Sequence, residues 1–200
     1  MLLYYWAKIL KKIRGSAIKN SSIHKTSKIE SGTSFVNSSM DKHSFCGYNC
    51  DISNVTIGKF CSIANNVVIG GGAHPMDWVS TSPVFYEGRD SVKTKFSTHK
   101  RELIRETVIG HDVWIGQYAI IKQGIEIGTG SVIGMGSVVT KDIPPYSIVA
   151  GVPTNLIRKR FSEAIIRALL DSKWWDWNDS KMIKHGPYFN DIIKFIKFIK

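Results

Sequence analysis

The sequence predicts an all-β solenoid, a parallel β-helix of triangular coils, on three observations. Aliphatic residues recur at every sixth position through Ile109, Ile115, Ile121, Ile127, Ile133 and Val139, with no failure in the run. Glycine follows at Gly110, Gly116, Gly128 and Gly134, and a smaller or β-branched residue stands two places before, at Thr107, Val113, Ala119, Ile125, Ser131 and Ser137. The same register appears upstream at Ile57, Ile63 and Ile69, preceded by Val55, Cys61 and Val67, and more weakly at Ile23, Ile29 and Phe35.

Side-chain direction turns this spacing into geometry. Residues i−2 and i of a strand share a face and i−1 points away, so each hexad supplies a short strand with one large and one small inward residue. The remaining residues turn the chain, and glycine at the first of them is expected to relieve a tight corner. Three sides close a coil of about eighteen residues, and coils stack about 4.8 Å apart with their backbone groups paired between coils. A helix would need apolar residues three and four apart, and a half-buried sheet would alternate over longer runs; neither fits.

Taken in order, residues 1–20 form an amphipathic segment whose apolar start, MLLYYWAKIL, is too short for a membrane span and has no small-residue cleavage site, so no signal peptide is expected. Residues 21–153 form the β-helix domain. Within it, 36–54 lose the pattern: the expected inward position falls on Asp51, among Cys46, Tyr48, Asn49 and Cys50. That coil is either a tolerated defect or a place where polar groups stand beside a substrate. Between Ile69 and Ile109 the repeat vanishes into an excursion loop, 73–106, which Trp78, Phe85, Tyr86 and Phe96 mark as ordered. Residues 154–200 read as a helical extension, with Ser162, Asn178 and Asn190 as candidate caps and Ile165, Ile166, Leu169 and Leu170 on one face. The final stretch, NDIIKFIKFIK, is expected to pack on its own protein or a neighbouring subunit rather than on a membrane.

The net charge of +11 is clustered near the N-terminus, over Lys93 to Arg105, and at the C-terminus, while the repeat is nearly neutral. Without a nucleic-acid-binding motif, the expected use of these charges is a phosphorylated small molecule or peripheral contact of the basic termini with an anionic membrane, not DNA or RNA. Three cysteines without a CxxC pair argue against a disulfide framework or zinc ribbon and fit a reducing cytoplasm. Of six histidines, His74 stands where the β-helix breaks into the loop. Imidazole is the side chain that ordinarily takes and returns a proton near neutral pH, which makes His74 a candidate general base.

Several stretches resemble a known family: the hexapeptide repeat over about 21–72 and 107–152, GGAHPMDWVSTSPVFY, WIGQYAIIKQG, VIGMGSVVTKDIPPYSIVAGVP, NLIRKRF and KWWDW. Together they are similar to the left-handed β-helix acyltransferases, in the xenobiotic and polysaccharide branch of hexapeptide-repeat acetyltransferases. The left hand comes from this resemblance, since general crossover rules favour the other. It implies a homotrimer with sites between subunits, acetyl-CoA as co-substrate, and His74 as catalytic base. It also implies that Gln117, Met135, Thr140 and Lys141 line the pantetheine and phosphate path, that Trp114 flanks the active site, and that Arg158 and Lys159 meet a CoA phosphate. Packing is the alternative role for Trp114 and Met135.

The antibiotic acetyltransferases of this branch resemble one another in an asparagine before the catalytic histidine and an arginine after it; Ala73 and Pro75 take those places here. That leans towards a sugar in a bacterial surface polysaccharide or its precursor, with Asp51, Trp78, Ser80 and Tyr86 as candidate acceptor contacts. A streptogramin or chloramphenicol acetyltransferase, and a non-catalytic solenoid scaffold, are the alternatives. Cysteine nucleophiles form a competing scheme, although Cys61 sits on an inward position. His99 and His111 are expected to face solvent. No metal is expected, because the chain lacks the histidine pair, five residues apart, that the zinc carbonic anhydrases of this fold resemble one another in.

Overall fold

The computed structural model describes residues 2–88, 91–101 and 105–199. Short strands stack into three parallel sheets, one per side of a prism. Face one stacks Ala17–Lys19, Ser34–Val36, Asp51–Ser53, Val68–Gly70, Ile120–Lys122 and Val138–Val139. Face two stacks Ser22–Ile23, Ser39–Met40, Val55–Ile57, Thr107–Ile109 and Glu126–Ile127. Face three stacks Lys28–Ile29, Phe45–Cys46, Ser62–Ile63, Trp114–Ile115, Val132–Ile133 and Ser147–Ala150, and ends on the antiparallel strand Asn155–Lys159. This is the solenoid that the hexads predict. Its axis is filled by Ile57, Ile63, Ile69, Ile109, Ile115, Ile121, Ile127 and Ile133, all fully buried. Each contributes about 1.5–3 kcal/mol relative to an exposed side chain.

Two corrections sharpen the repeat. The first concerns its length. After the loop, neighbouring coils are eighteen residues apart, as in Trp114↔Val132 and Ile120↔Val138. Before it they are seventeen apart, as in Ser34↔Asp51 and Asp51↔Val68. The missing residue is always at the corner from face one to face two, where Asn20, Asn37 and Asn54 take left-handed backbone with φ of 48°, 48° and 55°. Their amides form a ladder, Asn20 Nδ2 donating to Asn37 Oδ1 at 3.3 Å and Asn37 Nδ2 to Asn54 Oδ1 at 3.4 Å. Each short corner shifts the inward position by one, so Met40, Cys46 and Ile52 fill the core and Asp51 points outward. Residues 36–54 are a regular coil, not a defective one.

The second correction concerns the glycines. Gly58, Gly110, Gly116 and Gly128 have no positive φ. They stand where coils approach too closely for a side chain: a Cβ on Gly116 would lie 2.5 Å from the Met135 amide nitrogen, and one on Gly110 2.7 Å from that of Thr129. Left-handed backbone falls two residues later, at Asp112, Tyr118 and Gly130 among others. The small inward residues do more than fit. Ser44 Oγ donates to Gly58 O at 2.7 Å and accepts from Cys61 N at 2.9 Å, and Thr33 makes the matching pair with Gly47 O and Cys50 N. Cys50 and Cys61 occupy the same rung, their thiols donating to Ala64 O and Gly110 O. These buried hydroxyls and thiols thus stitch coil to coil, each with its own carbonyl partner.

Helices close the chain at both ends. α1 (Leu2–Ile13) precedes the first strand. α2 (Glu163–Ser172), α3 (Asp179–His185) and α4 (Ile192–Ile199) form a second apolar cluster around Tyr146, Ile166, Leu169, Trp174, Trp175 and Phe195. α4 packs on its own protein, as the NDIIKFIKFIK stretch predicts, with Phe195 buried. Asn178 caps α3 by accepting from Lys181 N at 2.9 Å. Asp191, not Asn190, caps α4, because its carboxylate reaches the Ile193 and Lys194 amides, both at 3.1 Å. Ser162 stands at the N-terminus of α2 without a side-chain cap bond.

Candidate active site

The loop leaves face one at Gly70 and returns at Thr107. Within it, 89–90 and 102–104 lie outside the described residues. Its organising side chain is Tyr86, only 4% exposed. Arg101 lies over the ring with its guanidinium carbon 4.8 Å from the centroid, and Trp78 meets the ring edge at 6.2 Å. Lys95 Nζ donates to the carbonyls of Pro83 and Tyr86 at 2.7 and 3.0 Å, and Tyr86 pairs with His99 through a backbone bridge. Ordered aromatic packing is what the sequence predicts for this segment.

His74 is exposed and held from one side. Its Nδ1 lies 2.9 Å from the Thr81 carbonyl oxygen and 3.0 Å from the Tyr86 hydroxyl. A carbonyl oxygen can only accept, so the 2.9 Å bond places the proton on Nδ1. Neutral imidazole then carries its lone pair on Nε2, the form a general base requires. Arg101 donates to the carbonyl of Ala73, the residue before His74, at 2.7 Å, tying backbone and hydroxyl support to one guanidinium.

The other candidate residues divide between surfaces. Trp114 projects outward from face three, and Gln117 and Met135 occupy successive coils at the corner that follows, joined by Gly136 N donating to Gln117 O at 2.8 Å. The register Trp114↔Val132, Val132↔Ile148, Ile148↔Arg158 sets Arg158 in the same lateral row as Trp114. Lys159 Nζ is engaged with Pro145 O at 3.2 Å. Thr140 and Lys141, both exposed, lie past face one instead, so the chain does not gather all seven residues on one surface. Lys141 and Arg158 are exposed cations, and Met135 and Trp114 exposed apolar side chains, with Lys141 apart from the other three. Asp51 points outward on the face from which the loop departs, and Ser80 Oγ accepts from Ser82 N at 3.1 Å. Tyr86 is a buried support of His74 rather than an open platform for a sugar ring.

Cysteine catalysis finds no footing. Cys46, Cys50 and Cys61 are all buried, and burial pushes the Cys61 thiol up to about 12. His111, expected at the surface, is half-buried and stacked on Trp175 at 5.1 Å, with Nδ1 accepting from Lys59 N at 3.0 Å. His99 is exposed, as expected. No metal-binding group of three His, Cys, Asp or Glu side chains occurs among the described residues. The sequence alone could not reveal Thr81, which acts through its backbone, nor separate Arg101 from the other basic residues of 93–105.

Residues 106–141 match the family described as bacterial transferase hexapeptide (six repeats). The chain is 47% identical over 141 residues to a chloramphenicol acetyltransferase of Escherichia coli, a match covering 69% of this chain and 67% of that one. The chain belongs to the hexapeptide-repeat acetyltransferases. Another acetyltransferase of this kind, the galactoside O-acetyltransferase of Escherichia coli (strain K12), is 41% identical over 106 residues, covering 52% of this chain and 44% of that one. An N-acyltransferase from Bacillus cereus, solved with dTDP-4-amino-4,6-dideoxyglucose and coenzyme A, shares the fold at a TM-score of 0.56 and 18% identity, covering 83% of this chain and 96% of that one. The hexapeptide-repeat acetyltransferase described here is thus an acyltransferase on a left-handed parallel β-helix.

Proposed function

We propose that this acetyltransferase moves acetyl from acetyl-CoA to a hydroxyl of a sugar in a bacterial surface polysaccharide or its precursor, with His74 as general base. The observation that carries the reading is the Thr81 carbonyl on Nδ1, which leaves Nε2 available to a hydroxyl proton. Nε2 takes that proton as the acceptor oxygen bonds to the thioester carbonyl carbon. The tetrahedral oxyanion collapses, the carbon–sulfur bond breaks, and the imidazolium returns the proton to the departing sulfur. Thr81, Tyr86 and Arg101 hold the ring throughout. Lys141 and Arg158 receive phosphates, and Trp114, Gln117, Met135 and Thr140 flank the linker.

In this reading the working assembly is a cytoplasmic homotrimer whose sites lie between subunits. Met76 and Val79 support it: they stand 87% and 111% exposed on the loop, an apolar surface suited to burial on a neighbour. Ala73 and Pro75, flanking His74, support a saccharide acceptor. The 47% identity to a chloramphenicol acetyltransferase favours a second reading, in which the acceptor hydroxyl belongs to an antibiotic.

Incubation with acetyl-CoA and either a panel of bacterial oligosaccharides or chloramphenicol separates the two by mass spectrometry. One added acetyl group on a saccharide, lost with His74→Ala, is the expected result. Acetylation of the drug alone overturns the saccharide reading. Transfer that persists undiminished in His74→Ala overturns His74 as the general base.

A further inference from the structure

The one apolar surface of α1 has no counterpart on the prism. Leu3, Tyr4, Tyr5, Trp6, Ile9, Leu10 and Ile13 are between 49 and 86% exposed, and neither apolar cluster includes any of them. The helix does not fold back as a lid, because Ile18, the first inward residue of the prism, is itself 49% exposed. At about 3.6 residues per turn, Leu3, Trp6, Ile9, Leu10 and Ile13 fall on one arc, while Tyr4 and Lys8 fall on the opposite one. No acidic residue precedes Glu30. Arg14 and Lys19 extend the positive charge beyond the helix, Arg14 Nη1 also bonding Asn49 Oδ1 at 3.1 Å.

We infer that α1 docks this acetyltransferase on an anionic lipid surface, lying in its plane. A helix of 12 residues, about 18 Å long, is far too short to cross a hydrocarbon layer of about 30 Å. No described helix is long and apolar enough to do so. It has what an in-plane helix needs: a wide aliphatic arc, Trp and Tyr suited to the headgroup boundary, Lys8 on the polar face, and a surrounding sequence without a single carboxylate. The charge complementarity decides between occupants. A second copy of the chain, at +11, would bring like charge to the same surface. The consequence goes beyond the acceptor reading, on which it rests: an acetyltransferase held on a membrane surface meets lipid-linked acceptors there.

The test is co-sedimentation of the full chain, without acetyl-CoA or acceptor, with vesicles of phosphatidylcholine containing one-third phosphatidylglycerol, against vesicles of phosphatidylcholine alone. Binding is expected to the anionic vesicles only, and to weaken at high salt. Deleting residues 2–13 should weaken it more than tenfold while thermal unfolding of the prism stays the same. Lys8→Glu should weaken it at least about fivefold, given the attraction of each basic residue to such a surface. Leu3→Glu with Trp6→Glu should abolish binding with the charge-bearing lysines intact. Equal binding by full and deleted chains, or binding by neither, overturns the inference. So does a change in assembly mass on deletion with no change in sedimentation, which would assign the helix to subunit contact. Failure here leaves acetyl transfer untouched, since vesicle binding is read without substrate.

Discussion

The prism before the loop and the prism after it solve the same packing problem with different corners. Upstream, coils of seventeen residues turn on asparagines in left-handed backbone, whose amides bond from coil to coil. Downstream, coils of eighteen turn at the equivalent corner on Gly124, and glycines such as Gly116 lie where one backbone presses on the next. Beyond the first coil, where Ile18 is 49% exposed and Ile23 and Ile29 are only partly buried, the inward columns are equally buried in both halves. A triangular β-helix thus fixes which residues face in more strictly than how many residues turn each corner.

The sharpest contrast is between either half and the loop joining them. His74→Ala should lower acetyl transfer by about 10²–10⁴-fold, the usual contribution of a general base, with no change in thermal unfolding. A fall in activity accompanied by a fall in melting temperature would place His74 in the scaffold instead. Within the downstream half, Gly116→Ala should cost about 3 kcal/mol in urea unfolding, because the new Cβ meets backbone atoms 2.5 and 2.9 Å away. Gly136→Ala, where φ is +67° and nothing lies within 4 Å, should cost only the left-handed penalty of about 1–2 kcal/mol. Equal losses would remove coil-to-coil contact as the reason for the glycines.

Upstream, Asn37→Ala should cost about 1 kcal/mol through its left-handed φ and the lost ladder, while Asn37→Gly should be nearly neutral. Parity of the two variants would show that ladder, not backbone, governs the seventeen-residue corner. The smallest effect is a pH slope at the seam between prism and tail. Burial holds the pKa of His111 below the ordinary value near ~6.5; Lys59 adds to that, while Asp176 and Asp41 oppose it. The folded state therefore binds fewer protons than the unfolded one in that window. The stability it contributes is complete above the ordinary value and is lost as pH falls towards the lowered one. Urea midpoints of the wild type should drop between pH 8 and 5.5, and His111→Phe should flatten part of that drop.

The two halves also differ in how well the sequence exposes them. Ile109 to Val139 advertise their geometry because every step is six. From Phe35 to Ile57 the inward steps run five, six, six and five, so a search at period six lands on Asp51 instead of Ile52. The pattern was present but its period was not constant, and the asparagines at 20, 37 and 54 were the available signal. The position of His74, where the chain leaves the prism for the loop, was legible from the break in the repeat. Its support was not: Thr81 contributes a carbonyl that any residue possesses, and Tyr86, which suits a sugar on composition, turns inward once Arg101 and Lys95 surround it.

The chain re-enters the prism on the row beside the one it left. Thr107, Val108 and Ile109 pair with Val55, Thr56 and Ile57, the places the next residues would have taken had no detour intervened. The detour is therefore a cassette plugged between two socket strands, and its contents carry no weight in aligning the stack. Such a molecule can exchange one cassette for another while keeping the same mast.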